Sequence, residues 1–196
     1  MTYIETILED QATGAVAAMY ETDRQAFGYL PNFTQGFSHR PDVYAAWRRL
    51  NGAIKANMDL RRYELATVTA AKRLRSSYCT LAHGSVLLNQ FLSEDDLRAV
   101  VSDRATAALD DLDTAVIELA DKVATDATSV TQADVDRLRA HGLTDADILD
   151  VVLAAAVRCF FSKVLDGLGM EADAKYAELD PELREVLTVG RPIATS

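Results

Sequence analysis

DLRRYELATVTAAKRLRSSYCTLAHG, residues 59–84, carries the pattern from which the fold is read. Asp59 suits an N-cap, and the residues after it run at helical period to about residue 75. At about 100° per residue, Arg61, Arg62, Lys72 and Arg73 share one side of this helix, and Leu60, Tyr63, Val68, Ala71 and Leu74 share the other. Glu64 falls inside the apolar arc. A carboxylate aimed at a core costs several kcal/mol unless it is paired or protonated. Burial is expected to raise its pKa, which suits a proton shuttle. The alternative is a structural carboxylate satisfied by an arginine or a backbone donor.

Ser76 or Ser77 can cap the next helix, which the pattern extends to about residue 90. Cys79 then lies in its first turn, where free N–H groups and the helix dipole favour a thiolate. His83, four residues on, shares its face and can exchange the thiol proton. Without a functional role, Cys79 is a small buried hydrophobe and His83 a satisfied core histidine.

Working outward, the chain reads as all-α in one domain spanning 1–196, a size that supports one sizeable core. A first helix is expected over 10–27, ended by Gly28, with a loop at Tyr29-Leu30-Pro31-Asn32. Pro41 suits the first turn of a helix running to about residue 57. Ser93/Asp96, Thr131/Asp134 and Thr144/Asp147 resemble capping boxes with Asp in place of Glu, each opening a helix. Another helix covers 110–124. The segment 145–168 is apolar almost all round in its middle, so it is either the central core helix or part of a subunit interface. The tail after Gly190 is expected to be loose.

Composition narrows the function. The net charge of −10 repels phosphate backbones and anionic lipid, so neither nucleic acid nor membrane is an expected partner. The first ten residues have no basic segment leading into an apolar core, and 148–161 is too short to span a bilayer; a cytoplasmic location is expected. No Gly-rich phosphate loop and no metal-ligand spacing is present, so no cofactor and no metal is expected. Two cysteines are too few for a disulfide scaffold. Cys159, in an apolar run, reads as core packing unless the fold brings it close enough to pair with Cys79. His39 and His141 sit at helix boundaries, and Phe33, Phe37, Tyr44 and Trp47 read as packing residues or a pocket mouth.

The register Glu64, eleven residues, Ser76-Ser77-Tyr78-Cys79, three residues, His83 resembles the alkylhydroperoxidase D-like / carboxymuconolactone decarboxylase family, whose motif is Glu, eleven residues, Cys-x-x-Cys-x-x-x-His. The likeness extends to the Tyr29–Asn32 loop, the Pro41 helix start and Arg158-Cys159-Phe160-Phe161-Ser162. It covers about residues 20–169 and looks like the peroxidase-related branch. It implies a helical bundle, a homo-oligomer, and a thiol-dependent peroxidase in which Cys79 attacks a hydroperoxide while Glu64 and His83 manage protons. Ser76 stands where the resolving cysteine belongs and forms no disulfide, so the resemblance implies an external thiol reductant. Ser76 and Tyr78 are left in supporting roles, Ser76 as cap or as hydrogen-bond partner of Cys79. Two other readings stay open: a decarboxylase-like proton-transfer enzyme acting on a lactone or acid, and a non-catalytic oligomeric binding protein.

Overall fold

Helix punctuation written in the sequence sets the ends of most elements. In the computed structural model, which describes residues 2–102 and 109–195, α1 (Gly14–Phe27) stops at Gly28, whose φ of 80° is the left-handed turn that glycine adopts at least cost. A single helical turn, α2 (Asn32–Gly36), begins at the last residue of the stretch read as loop. It is followed by α3 (Pro41–Asn57) and α4 (Leu60–Arg73), the latter capped by Asp59, whose carboxylate accepts from the Arg62 N–H. Then come α5 (Ser77–Gln90), α6 (Glu94–Val101) and α7 (Asp111–Asp126). Reciprocal capping boxes at Thr131/Asp134 and Thr144/Asp147 open α8 (Gln132–Ala140) and α9 (Asp145–Gly167). A short α10 (Pro181–Leu187) ends the series. The described residues are all-α apart from an isolated bridge between Ala172 and Ile193.

The central helix is α4, not α9. Residues 63–71 of α4 are buried without a break. One apolar core, holding Leu65, Val68 and Ala71, packs toward α5, Phe161, Leu165 and α10. A second, holding Tyr63, Ala66 and Ala70, packs toward α7, α8 and the first half of α9. The alternation of small and large side chains along α4 lets helices close on it from both sides. Its charged side survives through pairing: Arg61 with Asp113 at 2.6 Å and Arg62 with Asp147 at 3.2 Å.

The chain end is tied down rather than loose. The Ala194 N–H donates to the Ala172 carbonyl at 2.8 Å, and the Gly190 N–H donates to Ser77 Oγ at 2.7 Å. Gly190 passes so close to the α4–α5 corner that a β-carbon on it would lie 2.0 Å from the Arg75 carbonyl oxygen. Arg75 itself takes a left-handed φ of 56° to make that corner. Among the described residues no helix is long and apolar enough to cross a membrane.

The outer face of α9 explains its apolar circumference. Leu149, Leu153 and Phe160 remain 56%, 36% and 45% exposed, and with exposed Ala156 they follow the four-three spacing of a helix seam. On α3, which packs against α9, Leu50 is also exposed. A seam of this kind is expected to be covered by a second copy of the chain. Light scattering at low micromolar concentration should therefore show a homo-oligomer, with an interface on the order of 2,000 Å². Leu153→Glu combined with Phe160→Glu should convert it to monomer; a wild-type monomer that melts independently of concentration would contradict this.

Candidate active site

Three helices bring the site together. The corner at Arg75–Ser76 turns α5 back along α4, so that Glu64 on α4 faces His83 on α5. Lys55, near the end of α3, reaches the same carboxylate. Glu64 is 1% exposed, with Oε2 2.5 Å from His83 Nδ1 and Oε1 3.2 Å from Lys55 Nζ. Tyr63 stacks edge-on to the His83 ring at 6.1 Å, and Lys55 lies over the Tyr63 ring.

This pairing reverses the shift expected from burial alone. Burial pushes the Glu64 carboxyl up, but His83 and Lys55 together outweigh it, and the group sits below its usual range. Burial also pushes the His83 imidazole down, and the Arg158 guanidinium adds to this; Glu64 pulls it back only in part. At neutral pH the pair is therefore a carboxylate and a neutral imidazole. The ring proton sits on Nδ1 against Glu64, which leaves Nε2 as a base.

Cys79 is the third residue of α5 and is buried. Arg158, from the middle of α9, donates from Nη1 toward Cys79 Sγ at 3.6 Å. Burial works against the guanidinium charge, yet the Cys79 sulfur and the Tyr63 hydroxyl more than offset it. A fixed cation thus stands beside the one buried thiol of the described residues. Glu64, Cys79, His83 and Arg158 all line one cavity of about 620 Å³. Its remaining wall is largely aromatic, with Phe33, Trp47 and Phe161 on one side and Tyr78 and Tyr176 on another.

Residues read as supporting the site divide. Tyr78 lines the cavity, but its hydroxyl donates to Asp173 Oδ2 at 2.6 Å and accepts from the Phe33 N–H. Burial and Asp173 push the phenol far up, so it stays protonated and acts as a brace between the 29–33 and 171–173 segments. Ser76 occupies the N-cap position without making the expected side-chain cap bond. It is fully buried outside the cavity lining with its Oγ making no hydrogen bond, and burial raises the carboxyl of the nearby Asp166. The structure therefore does not bring Ser76 to Cys79 as a hydrogen-bond partner.

Cys159 is only partly buried, and burial pushes its thiol up against the nearby Lys163 and Arg158. It follows Arg158 by one residue, about 100° around the helix. Since Arg158 points at Cys79, Cys159 points elsewhere, and it lies outside both apolar cores and the cavity. His39 bonds the Glu5 carbonyl at 2.8 Å and His141 ends α8, both away from the cavity. Among the described residues no three His, Cys, Asp or Glu side chains converge as metal ligands. Sequence reasoning passed over Lys55 and Arg158. A lone arginine between Val157 and Phe161 was the available signal for the second.

Residues 41–122 match the model of the Carboxymuconolactone decarboxylase family. Through this segment, the chain is similar to the carboxymuconolactone decarboxylase family. The matched segment holds Lys55, Glu64, Cys79 and His83, whereas Arg158 and the Tyr176 wall lie beyond it. No curated protein matches the chain by sequence. Solved structures share its fold. One is an uncharacterized peroxidase-related protein with an alkylhydroperoxidase AhpD core from Ralstonia eutropha JMP134, at 20% identity and TM-score 0.79 over 97% of this chain and 98% of that one. Another is a peroxidase-related protein from Silicibacter sp. TM1040, at 21% identity and TM-score 0.76 over 91% and 98%. A third is the debrominase Bmp8, as a cysteine-to-alanine variant in complex with 2,3,4-tribromopyrrole, at 13% identity and TM-score 0.72 over 95% and 98%.

The carboxylate–imidazole pair makes stability depend on pH in a defined direction. Both groups titrate below their ordinary values, 6.5 for His83 and 4.5 for Glu64, so the unfolded chain takes up their protons first. Their contribution is complete above 6.5. It declines as pH falls below that value through His83, and further below 4.5 through Glu64. Urea unfolding between about pH 8 and about pH 4 should show a smaller acid-induced loss in His83→Gln than in wild type. A wild-type protein that gains stability over the same range relative to His83→Gln would contradict this assignment.

Proposed function

We propose that this protein is a thiol-dependent hydroperoxidase with Cys79 as its nucleophile. The reading rests on one observation: Cys79 opens onto the cavity shared with the Glu64–His83 pair, with the Arg158 cation 3.6 Å from its sulfur. A thiolate is the reactive form, and a buried guanidinium favours charge on the sulfur it faces. The resemblance of the Glu64-to-His83 register and the fold shared with peroxidase-related proteins support the same reading.

The chemistry balances with groups at hand and one external reagent. His83 Nε2 is the base available to take the thiol proton, with Glu64 holding the imidazole through Nδ1. Cys79 sulfur attacks the distal oxygen of a hydroperoxide and the O–O bond breaks. The sulfur becomes a sulfenic acid, and the departing alkoxide takes the proton as an alcohol. The cavity holds no second thiol, since Cys159 points away and a serine occupies position 76. An external thiol then condenses with the sulfenic acid, releasing water and forming a mixed disulfide. A second external thiol frees Cys79 and leaves as the oxidised disulfide.

A proton-transfer reading has its own support. The bond of 2.5 Å between Glu64 and His83 is an acid–base couple that needs no thiol. In that case Cys79 shapes the pocket for a lactone or acid.

The two separate cleanly by experiment. On treatment with hydrogen peroxide or an organic hydroperoxide, trapping with dimedone and mass spectrometry should place a sulfenate on Cys79. Cys79→Ser should abolish peroxide consumption, and Glu64→Gln should lower kcat/KM by roughly 100-fold or more, the usual scale of general acid–base assistance. An inert Cys79, or an activity that survives Cys79→Ser, would transfer the assignment to proton transfer.

A further inference from the structure

Arg158 is placed as no other interior arginine of the described chain is. Arg48, Arg61 and Arg62 each reach inward and pair with a carboxylate, Asp23, Asp113 and Asp147 respectively. Arg158 is more deeply buried than any of these, at 3% exposure, and its partners are the Cys79 sulfur and the Tyr63 hydroxyl. Among the described residues no carboxylate pairs with it, and its Nε has no acceptor. A second orphan donor stands beside it: the buried Trp47 Nε1, also without a partner. Both side chains pack on Phe161, Trp47 stacked at 3.9 Å between ring centroids and the guanidinium 5.5 Å from the centroid. Both line the cavity that Cys79 opens onto.

Two buried donors without acceptors, one of them cationic, are costly unless something supplies oxygen acceptors and negative charge. The Cys79 sulfur answers part of that need for Arg158 and none of it for Trp47. Of the two carboxylates that line the cavity, Glu64 is committed to Lys55 and His83, and Glu178 makes no ion pair with Arg158. Lys55, Arg158 and Lys175 line the cavity against Glu64 and Glu178, one positive charge in excess within a chain of net charge −10. The aromatic wall of Phe33, Trp47 and Phe161 supplies flat apolar surface next to these donors.

We infer that Arg158 forms an anion subsite and that the cavity takes a small aromatic acid, its acidic group on Arg158 and its ring against Trp47 and Phe33, beside Cys79. For the thiol reading, the substrate class this names is an aromatic hydroperoxide that carries an acidic group; the chemistry rests on that reading, the binding does not. The guanidinium then has a double duty: it faces sulfur in the empty site and shares its charge with the ligand when the site is filled.

Trp47 is the chain's single tryptophan, so its emission reports occupancy directly. The probes are benzoate and its neutral isostere benzamide. Benzoate should change Trp47 emission and bind at least about ten-fold more tightly than benzamide, as expected when a charge-assisted bond is lost. Arg158→Gln should erase the preference and Arg158→Lys should keep part of it. In the wild-type protein, benzoate should slow alkylation of Cys79 by iodoacetamide while benzamide at equal concentration does not. That measurement decides the matter if circular dichroism shows Arg158→Gln to be misfolded. Equal binding of the two probes, no binding of benzoate, or a preference that persists in folded Arg158→Gln would each overturn the subsite. None of these outcomes bears on sulfenate formation by hydrogen peroxide, so failure here and failure of the peroxidase reading are distinguishable.

Discussion

A carboxylate buried in the middle of α4 must be satisfied, and the way Glu64 is satisfied organises the molecule around it. Its two oxygens are met by side chains from two other helices, Lys55 on α3 and His83 on α5. Each bond fixes one helix against α4, and the α4–α5 corner must be tight enough to let Glu64 and His83 face each other. The left-handed Arg75 and the close passage of Gly190 follow from that demand. Leaving either oxygen unpaired at 1% exposure would carry the full cost of desolvating a charge. The pair is therefore structural and chemical at once: the bonds that hold the helices also hold the imidazole in one orientation with Nε2 free.

The cavity exists because packing around α4 is asymmetric. On the side facing α7 and α8, mostly aliphatic and alanine side chains form one buried core cluster. On the other side, aromatic rings from α2, α3, α5 and α9 meet at edge and stacked angles and leave an opening between them. Asp173 fixes two of the polar groups that line it, Tyr29 and Tyr78. Arg158 Nε and Trp47 Nε1 have no such partner.

The family segment ends before α9, yet α9 supplies Arg158, Phe161 and Leu165 to the cavity, and residues 175–179 supply part of its rim. The shared portion thus carries the acid–base pair and the thiol, and the remainder shapes what reaches them. The same helix turns its opposite face, Leu149, Leu153, Ala156 and Phe160, outward. One helix therefore links the cavity wall to an apolar surface seam.

The sequence by itself determined the helical class and most element boundaries, and it singled out as candidates Glu64, Cys79 and His83, which line one cavity. These depend on spacing along one or two adjacent helices: Asp59, Thr131 and Thr144 cap through bonds three residues long, and a Glu in an apolar arc is visible from period alone. Only the tertiary structure decided the rest. It lowered the Glu64 pKa because His83 and then Lys55 meet the carboxylate from other helices, contacts the periodicity of α4 does not encode. It made α4 central instead of α9, because burial on both faces depends on which helices close around it. It sent Ser76 toward Asp166 and Cys159 away from the cavity, and it anchored the tail through Gly190. It also placed Arg158, 79 residues away in sequence, against Cys79. In each case the deciding term is a long-range contact, whose partner a single stretch of sequence does not specify.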